Sequence, residues 1–437
     1  MTTPPIVTQQ IKAEISYWKR EFERCKQLRE PFEKQWLVNL AFYFGKQYVI
    51  WTPVTSSLSN QTLTEPLTPK HRVRITANRI RPLIRRELAK FTKNEPTWYC
   101  SPASTEPEDV AAAKIAEKIT EYYLRELNFD RYRRQSTFWM LICGTSFMKT
   151  YAVSTTDKDT QQTVSTLRID PISPMHIYVR DIQEEDLYRQ PYVIHGRNVP
   201  VETVESTYGV KIAGTNSTSL PPAEAKLQNA LGIRNSSKDV DKDMCFLMEI
   251  WVNPCKKYPE GALLTIANDQ LVDVYDDPTE PIETAKMDVL EGETKKWSDS
   301  SIPFKHGMYP FIKYDHIPAG RFYGDSNIVD QISLQVEYNR TRSQIVESKN
   351  RMARPQMYFE KGSIDPRKIT SEPGLMIPVQ PGFAYPRAAE MPPLPSYVLE
   401  EQTRIVRDMD ENAGQNDISR GMVPPGIHAA SAISYLQ

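Results

Sequence analysis

The longest helical pattern in the chain is polar through its middle, and this feature constrains the fold more than any other. Residues 325–354 read DSNIVDQISLQVEYNRTRSQIVESKNRMAR, with a cap at Asp325 or Ser326 and an apolar stripe that begins at Ile328 and Ile332. A helix of this length extends about 40 Å. Its central EYNRTRSQ is polar on nearly every side, so an isolated globule would rarely bury it. The pattern favours a helix that packs beside copies of itself, with one side toward a water-filled channel.

A second helical pattern is interrupted near the end of the sequence. Residues 419–437 read SRGMVPPGIHAASAISYLQ, so the helical pattern breaks at Gly421–Gly426 and resumes at Ala429. Glycine permits backbone angles that other residues avoid, and proline lacks the N–H that a helix needs. The pattern indicates either a surface turn between two packed helices or a compact loop that projects from them.

The N-terminal region is expected to be helical. Apolar residues recur every three or four positions between residues 11 and 44, and Pro31 predicts a division into two helices. The sequence NRIRPLIRRELAKFTKNEP then predicts a basic helix that ends at Pro96. Its charges are explained either by a solvated face or by a face that binds phosphate.

Two further elements follow a predicted capping box. Thr105 and Glu108 have the spacing of this motif, ahead of a helix with Ile115, Ile119 and Tyr122 on one side. The stretch DRYRRQSTFWMLICGTSFMKTYAV then predicts a helix that breaks at Gly144 and continues as a strand.

From residue 164 onward, the sequence combines strand patterns with two further short helical patterns. Strands are expected within residues 164–197, and the helix VETVESTYG is expected to end at Gly209. The stretches CFLMEIWV and ALLTIANDQLVDVY predict a β-hairpin module. Residues 362–395 are proline-rich and expected to be extended, and a helix begins near Ser396. One side of that helix carries Val398, Gln402, Ile405 and Met409.

The charge balance argues against a protein that binds nucleic acid over its whole surface. The 437 residues include 54 lysines and arginines against 55 aspartates and glutamates, so contact with DNA is expected to be local or weak. No stretch has the ~20 consecutive apolar residues of a membrane helix, and MTTPPIVTQQ does not resemble a signal peptide. The five cysteines form no CxxC pair. These features predict a soluble intracellular protein with reduced thiols and no membrane partner.

Motifs of common enzymes are absent from the sequence. It contains no G-x-x-x-x-G-K-[ST], no H-E-x-x-H and no G-x-S-x-G. His306 and His316 lie ten residues apart without a third ligand, which is weak support for zinc. We therefore expect no catalytic residue, no metal and no cofactor. Two alternatives remain open: a carboxylate-dependent DNA-processing enzyme, and a monomeric helical adaptor protein that binds through the basic helix near Arg85.

In order along the chain, several stretches resemble the portal proteins of tailed bacteriophages, most closely those of short-tailed phages. These stretches are FYFGKQY, ANRIRPLIRRELAKFTKNEPTWYCSPAS, LICGTSFMKTY, MEIWVNP, HIPAGRFYGDSNIVDQISLQVEYNRTRSQIVESKNR and ISRGMVPPGIHAASAISYLQ. The resemblance spans nearly the whole chain and depends on their order. It implies an α+β portal-protein fold with a wing, stem helices, a β-containing clip and a channel-lining helix, tunnel loop and helix, assembled as a ring.

The resemblance also implies how the chain is divided. Portal chains of this type usually continue into a crown of further helices, so SAISYLQ is expected to open such a helix and a C-terminal part is expected to be missing. The segments are 1–198 for the first part of the wing, 199–240 for the first stem helix and a polar linker, 241–316 for a clip-like strand module, 317–354 for the second stem helix, 355–396 for the second part of the wing, and 397–437 for the channel helix, tunnel loop and start of the crown helix.

The function implied by the resemblance is structural. A ring, usually of twelve subunits, would occupy one capsid vertex and nucleate capsid assembly with the major capsid and scaffold proteins. It would dock the terminase, let double-stranded DNA enter during packaging and leave during ejection, and bind tail adaptor proteins. Such a ring belongs to the virion, after assembly in the host cytoplasm. In this context, a tunnel loop explains the break at Gly421–Gly426 better than a surface turn does.

Two groups of site residues follow from the resemblance. A channel in which DNA slides should avoid strong phosphate pairing, and the near-zero net charge is compatible with that requirement. The long helix is expected to supply much of the contact between subunits, through Arg340, Arg342, Gln344 and Lys349. The expected DNA-channel and tunnel-loop residues are Gln415, Asn416, Arg420, Gly421, Pro424, Pro425, Gly426 and His428.

Overall fold

Helices and antiparallel strands are mixed along the chain, which confirms the predicted α+β class. The chain separates into two units, Met1–Thr64 with Ile80–Val329 and Glu65–Arg79 with Asp330–Gln437. The computed structural model describes residues 5–53, 61–69, 72–94, 96–156, 163–212, 214, 244–258, 261–268, 270–275, 309–353, 355–365, 376, 378–389, 393 and 395–414.

The first unit begins with one long helix, so the predicted division at Pro31 is wrong. Proline cannot bond the carbonyl of Gln27, four residues earlier, but Gln27 and Pro31 are both exposed, so the missing bond lies on the solvent side of the helix. The described helices of this unit are α1 (Pro5–Tyr43), α2 (Ile80–Lys93), α3 (Pro107–Glu126), α4 (Phe129–Cys143) and α5 (Val201–Tyr208).

The described strands of the first unit form a hairpin and two larger antiparallel sheets. The hairpin pairs β1 (Ile50–Pro53) with β2 (Gln61–Thr64). The three-stranded sheet has β3 (Thr145–Thr156) between β4 (Thr163–Ile172) and β10 (Phe311–Asp315). The five-stranded sheet keeps the order of the chain, with β5 (Ile177–Val179), β6 (Tyr192–Pro200), β7 (Met244–Val252), β8 (Ala262–Ala267) and β9 (Gln270–Tyr275).

The predicted β-hairpin is confirmed as β7 and β8, although it belongs to a larger sheet. The second apolar stretch turns back at Asn268, which adopts a left-handed φ of 51° and separates β8 from β9. Strand β7 also pairs with β6, so this sheet crosses the predicted boundaries at residues 198 and 240. The assignments to wing, stem, clip and channel stay predictions.

The five-stranded sheet is covered on both faces. Successive side chains of a strand point to opposite faces. Accordingly, Ile250 of β7 is buried in a cluster with Trp18 and Phe22 of α1. Its neighbour Trp251 packs instead against Phe311 of the three-stranded sheet, with ring centroids 5.9 Å apart. Helix α1, the five-stranded sheet and the three-stranded sheet therefore form consecutive layers.

Two glycine-terminated helices occur where the sequence predicts them, and the capping box does not form. Gly144 ends α4 with φ 87°, and Gly209 ends α5 with φ 73°. Helix α3 begins at Pro107 behind Glu106, and no side chain caps it. Because proline is favoured at the first helical position, the helix starts too late for Thr105 to act as its cap.

The second unit contains two helices and a short strand pair in its described part. Helix α6 (Ile328–Ala353) starts beside Ser326, whose hydroxyl accepts a hydrogen bond from the Ile328 N–H at 3.2 Å. Helix α7 (Tyr397–Asn412) buries Ile405 and Met409 and half-buries Val398 and Gln402, as predicted. Strands β11 (Met357–Tyr358) and β12 (Arg387–Ala388) pair. Among the described helices, none is long and apolar enough to cross a membrane.

Candidate subunit and channel surfaces

One side of the polar middle of α6 is buried within the chain itself. Gln335, Asn339 and Ser343 follow one another at intervals of four residues and are all buried. With Glu347, they form what we call the polar ladder, which lies along residues 72–79 of the same unit. We call that segment the strap; it is extended and has no regular secondary structure.

The polar ladder bonds every second backbone N–H of the strap. Four residues of helix advance about 6 Å, and two extended residues advance about 6.8 Å, so the two repeats nearly match. A helix side chain therefore meets each N–H that a neighbouring strand would otherwise bond. The bonds run from Arg79 N to Gln335 Oε1 (2.9 Å), Ala77 N to Asn339 Oδ1 (3.0 Å), Ile75 N to Ser343 Oγ (3.0 Å) and Val73 N to Glu347 Oε1 (3.0 Å).

This arrangement corrects the sequence-based argument about the long helix. We expected that a single chain would rarely bury a helix so polar, because an unpaired polar group is costly to bury. The polar ladder avoids that cost by bonding the strap, and Gln335 also donates to the Ala77 carbonyl at 3.0 Å. The polarity of the buried side of α6 is therefore explained inside one subunit and is not by itself evidence of packing between copies.

We expect Asn339→Leu to loosen the strap without unfolding the first unit. The substitution removes the acceptor of the Ala77 N–H, and a buried donor left without a partner costs about 1–3 kcal/mol. Amide hydrogen exchange at residues 73–79 should accelerate accordingly. Gln344→Leu is the matched control, since Gln344 is exposed on the same helix. Equal exchange in both variants would show that the polar ladder does not hold the strap.

The four predicted subunit-contact residues of α6 are all exposed and lie on two sides of the helix. Residues two positions apart on a helix point about 200° apart, so Arg340 and Gln344 share one side while Arg342 and Lys349 share another. Arg340 forms a 3.2 Å ion pair with Glu337, one turn earlier. The structure thus brings the predicted set together in pairs and leaves both pairs free of the subunit's own core; their contact with a neighbour stays a prediction.

The predicted channel residues lie outside the described residues. They follow helix α7 in the sequence. This helix ends at Asn412, and Gly414 is the last described residue. Within the second unit, α7 is held to α6 by Gln331, whose Nε2 donates to the Met409 carbonyl at 3.0 Å. All eight predicted channel and tunnel-loop positions, from Gln415 to His428, come after this point.

A buried charge cluster between the two larger sheets was missed by the sequence reasoning. Glu249 of β7 forms an ion pair with Lys149 of β3. Its carboxylate also lies 3.3 Å from the His195 Nδ1 and 3.4 Å from an Nη of Arg197. The available signal was a lone charge in each of two apolar strands, SFMKTYAV and FLMEIWV. We call these four residues the Glu249 cluster.

Burial and charge act in opposite directions on the pKa values in the Glu249 cluster. Burial alone would raise the pKa of Glu249, but the charge of Lys149 and the hydrogen bond with His195 hold it well below its ordinary value. Burial lowers the pKa of His195, so this imidazole is neutral although it lies beside a carboxylate. The Glu249 cluster is accordingly a cross-link between the sheets, with each charge compensated.

The candidate metal ligands are not brought together in the described part of the chain. No group of three or more His, Cys, Asp or Glu side chains among those residues could hold a metal ion. His316 is half-buried and packs edge-on to Phe91, with ring centroids 6.4 Å apart, and burial lowers its pKa. His306 lies outside the described residues, so this pair adds no support for zinc.

Similarity to known proteins extends over almost the whole chain. The model of the phage P22-like portal protein family matches residues 19–434. The matched range includes helices α2–α7, both larger sheets and every predicted subunit-contact and channel position. No curated protein matches at a significant level.

Proposed function

Since the chain belongs to the phage P22-like portal protein family, we propose that it forms the ring at one capsid vertex through which double-stranded DNA is packaged and ejected. The family is structural and non-enzymatic, and it implies a homo-oligomeric ring that interacts with capsid, DNA and terminase. The observation that carries the proposal is the match over residues 19–434.

The proposed ring contains twelve subunits in a head-to-tail arrangement. Such a ring requires two different surfaces on each chain that complement each other and close. The exposed pairs on α6, Arg340 with Gln344 and Arg342 with Lys349, support a place for this helix in the contact, because the subunit's own core does not use them. The proposed external partners are the terminase, the major capsid and scaffold proteins, and the tail adaptor proteins.

The proposed channel element is the segment that follows α7. Gly421, Pro424, Pro425 and Gly426 would form a bend that projects toward the DNA, with Arg420 among the residues that face it. The balanced charge of the chain supports a sliding contact, because each phosphate neutralised by a cation would add affinity and slow the movement of DNA.

Reconstituted packaging tests this proposal. The purified chain is combined with the capsid, scaffold and terminase proteins of the same phage and with ATP, and DNA protected from nuclease is measured. We expect protected DNA only when this chain is present. A variant that lacks residues 421–426 should form the same empty heads and lose the protected DNA. Heads that package DNA equally well without the chain would contradict the proposed function.

A further inference from the structure

Helix α3 carries apolar side chains on two opposite sides. It packs on α4, and its more covered side includes the half-buried Val110 and Leu124. On the opposite side Ile115, Ile119 and Tyr122 recur at helical spacing and are 59, 50 and 61% exposed. In the described structure none of the 20 residues of α3 is buried. A helix of this length gains most of its stability from packing, so a partner on its outer side would stabilise it.

The segment before α3 carries further exposed aromatic side chains. Trp98 and Tyr99 are 51 and 80% exposed, and Tyr123 adds a further aromatic ring next to Tyr122. Single exposed apolar residues are ordinary on a protein surface, whereas a continuous stripe marks an interaction site. We call Ile115, Ile119, Tyr122 and Tyr123 the α3 stripe.

The charges of α2 and α3 are opposite, and both helices pack on α4. Helix α2 exposes Arg81, Arg85 and Lys93 on its outer side. The exposed Glu108 and Glu126 lie at the two ends of α3, on the same side as the α3 stripe. The basic residues of α2 outnumber its one acidic residue, Glu87; they are Arg81, Arg85, Arg86, Lys90 and Lys93. In α3 the acidic residues are in excess. They are Glu108, Asp109, Glu117, Glu121 and Glu126, and the basic ones are Lys114, Lys118 and Arg125.

We propose that the α3 stripe of one subunit packs against α2 of the next subunit in the ring. The inference rests on the proposed function, which supplies the second copy. Each chain carries both an acidic, apolar surface and a basic one, and two different surfaces that complement each other give the head-to-tail contact that closes a ring. The contact removes the α3 stripe from water and places Glu108 and Glu126 beside the basic side chains of the neighbour.

Paired charge reversal tests this contact. Arg85→Glu with Lys93→Glu reverses charges on α2, and Glu108→Lys with Glu126→Lys reverses charges on α3. Native mass spectrometry of each variant of the 437-residue chain should show loss of the ring and accumulation of smaller species. Combining the two sets should restore the ring, because the charges again complement each other. Glu360→Lys with Lys361→Glu is the control, since both side chains are exposed in the second unit, and it should leave the ring unchanged.

A second variant separates interface loss from misfolding. Ile119→Asp puts a charge into the middle of the α3 stripe and should abolish the ring while circular dichroism shows unchanged helix content. Rings in all variants would overturn the inference and leave the proposed function intact. Rings that no longer enter capsids would also overturn it, in favour of a capsid or scaffold protein on the α3 stripe. If the unmodified chain forms no ring either, the inference is overturned, because no contact between copies exists for the variants to break.

Discussion

Replacing Gly144 by alanine is expected to destabilise the first unit strongly. Gly144 turns the chain from α4 into β3 with φ 87°, and a Cβ there would overlap the Gly324 carbonyl, whose carbon lies only 2.7 Å away. Both backbones are fixed, since the Gly144 carbonyl accepts from His316 N at 2.8 Å and Gly324 N donates to the Thr145 hydroxyl at 2.7 Å. Backbone strain and overlap together should cost about 4 kcal/mol or more.

The measurement is urea unfolding of Gly144→Ala beside a glycine control. Gly209→Ala also places alanine at a positive φ, of 73°, but no described atom lies within 4 Å of its Cβ position. The control should therefore lose only about 1 kcal/mol. Equal losses in the two variants would mean that the close approach of Gly144 and Gly324 contributes nothing beyond the backbone angle.

The second large loss of stability is expected for Glu249→Gln. Neutralising this carboxylate leaves the buried ammonium of Lys149 uncompensated, beside the rings of Trp251 and Phe311 at 5.5 and 5.8 Å. Breaking a buried pair in this way typically costs about 3–5 kcal/mol. Lys149→Met combined with Glu249→Met is the control, because removing both charges should restore much of the lost stability. A single variant as stable as the unmodified chain would contradict the account of the Glu249 cluster.

The pH dependence of unfolding provides an independent readout of the Glu249 cluster. The folded pKa values of His195 and Glu249 lie below their unfolded values, so the unfolded chain binds more protons in acid. Burial lowers the pKa of the neighbouring His176 to about 3, which acts in the same direction. The free energy of unfolding should fall as the pH drops below about 6.5 and fall further below about 4.5. In Glu249→Gln the fall in the free energy of unfolding below about pH 4.5 should be shallower.

Local elements were predictable where one residue type determines the backbone conformation. The change from helix to strand at Gly144 and the end of α5 at Gly209 follow from glycine at a positive φ, and the buried side of α7 follows from helical spacing. The predicted break at Pro31 failed because the rest of α1 is anchored by packing, including the buried Arg29, which donates to the Met175 carbonyl at 2.6 Å. Tertiary contacts overrode the local preference.

The partners of polar and exposed residues were less predictable than the elements. Helical spacing identified α6 and its exposed Arg340, but the strap that satisfies Asn339 lies more than 250 residues away in sequence. Glu249 likewise meets Lys149 from 100 residues away. Ile119 was predicted to share one helix side with its apolar neighbours, and spacing alone could not show that this side is exposed. Periodicity gives the faces of an element but not what covers each face.

Native mass spectrometry of the purified chain, with a negative-stain image of the same sample, tests the central claim most directly. The proposed function predicts a closed ring near twelve copies of the 50.3 kDa chain, with an open centre. A stable monomer or dimer that also cuts DNA when magnesium is present would contradict it.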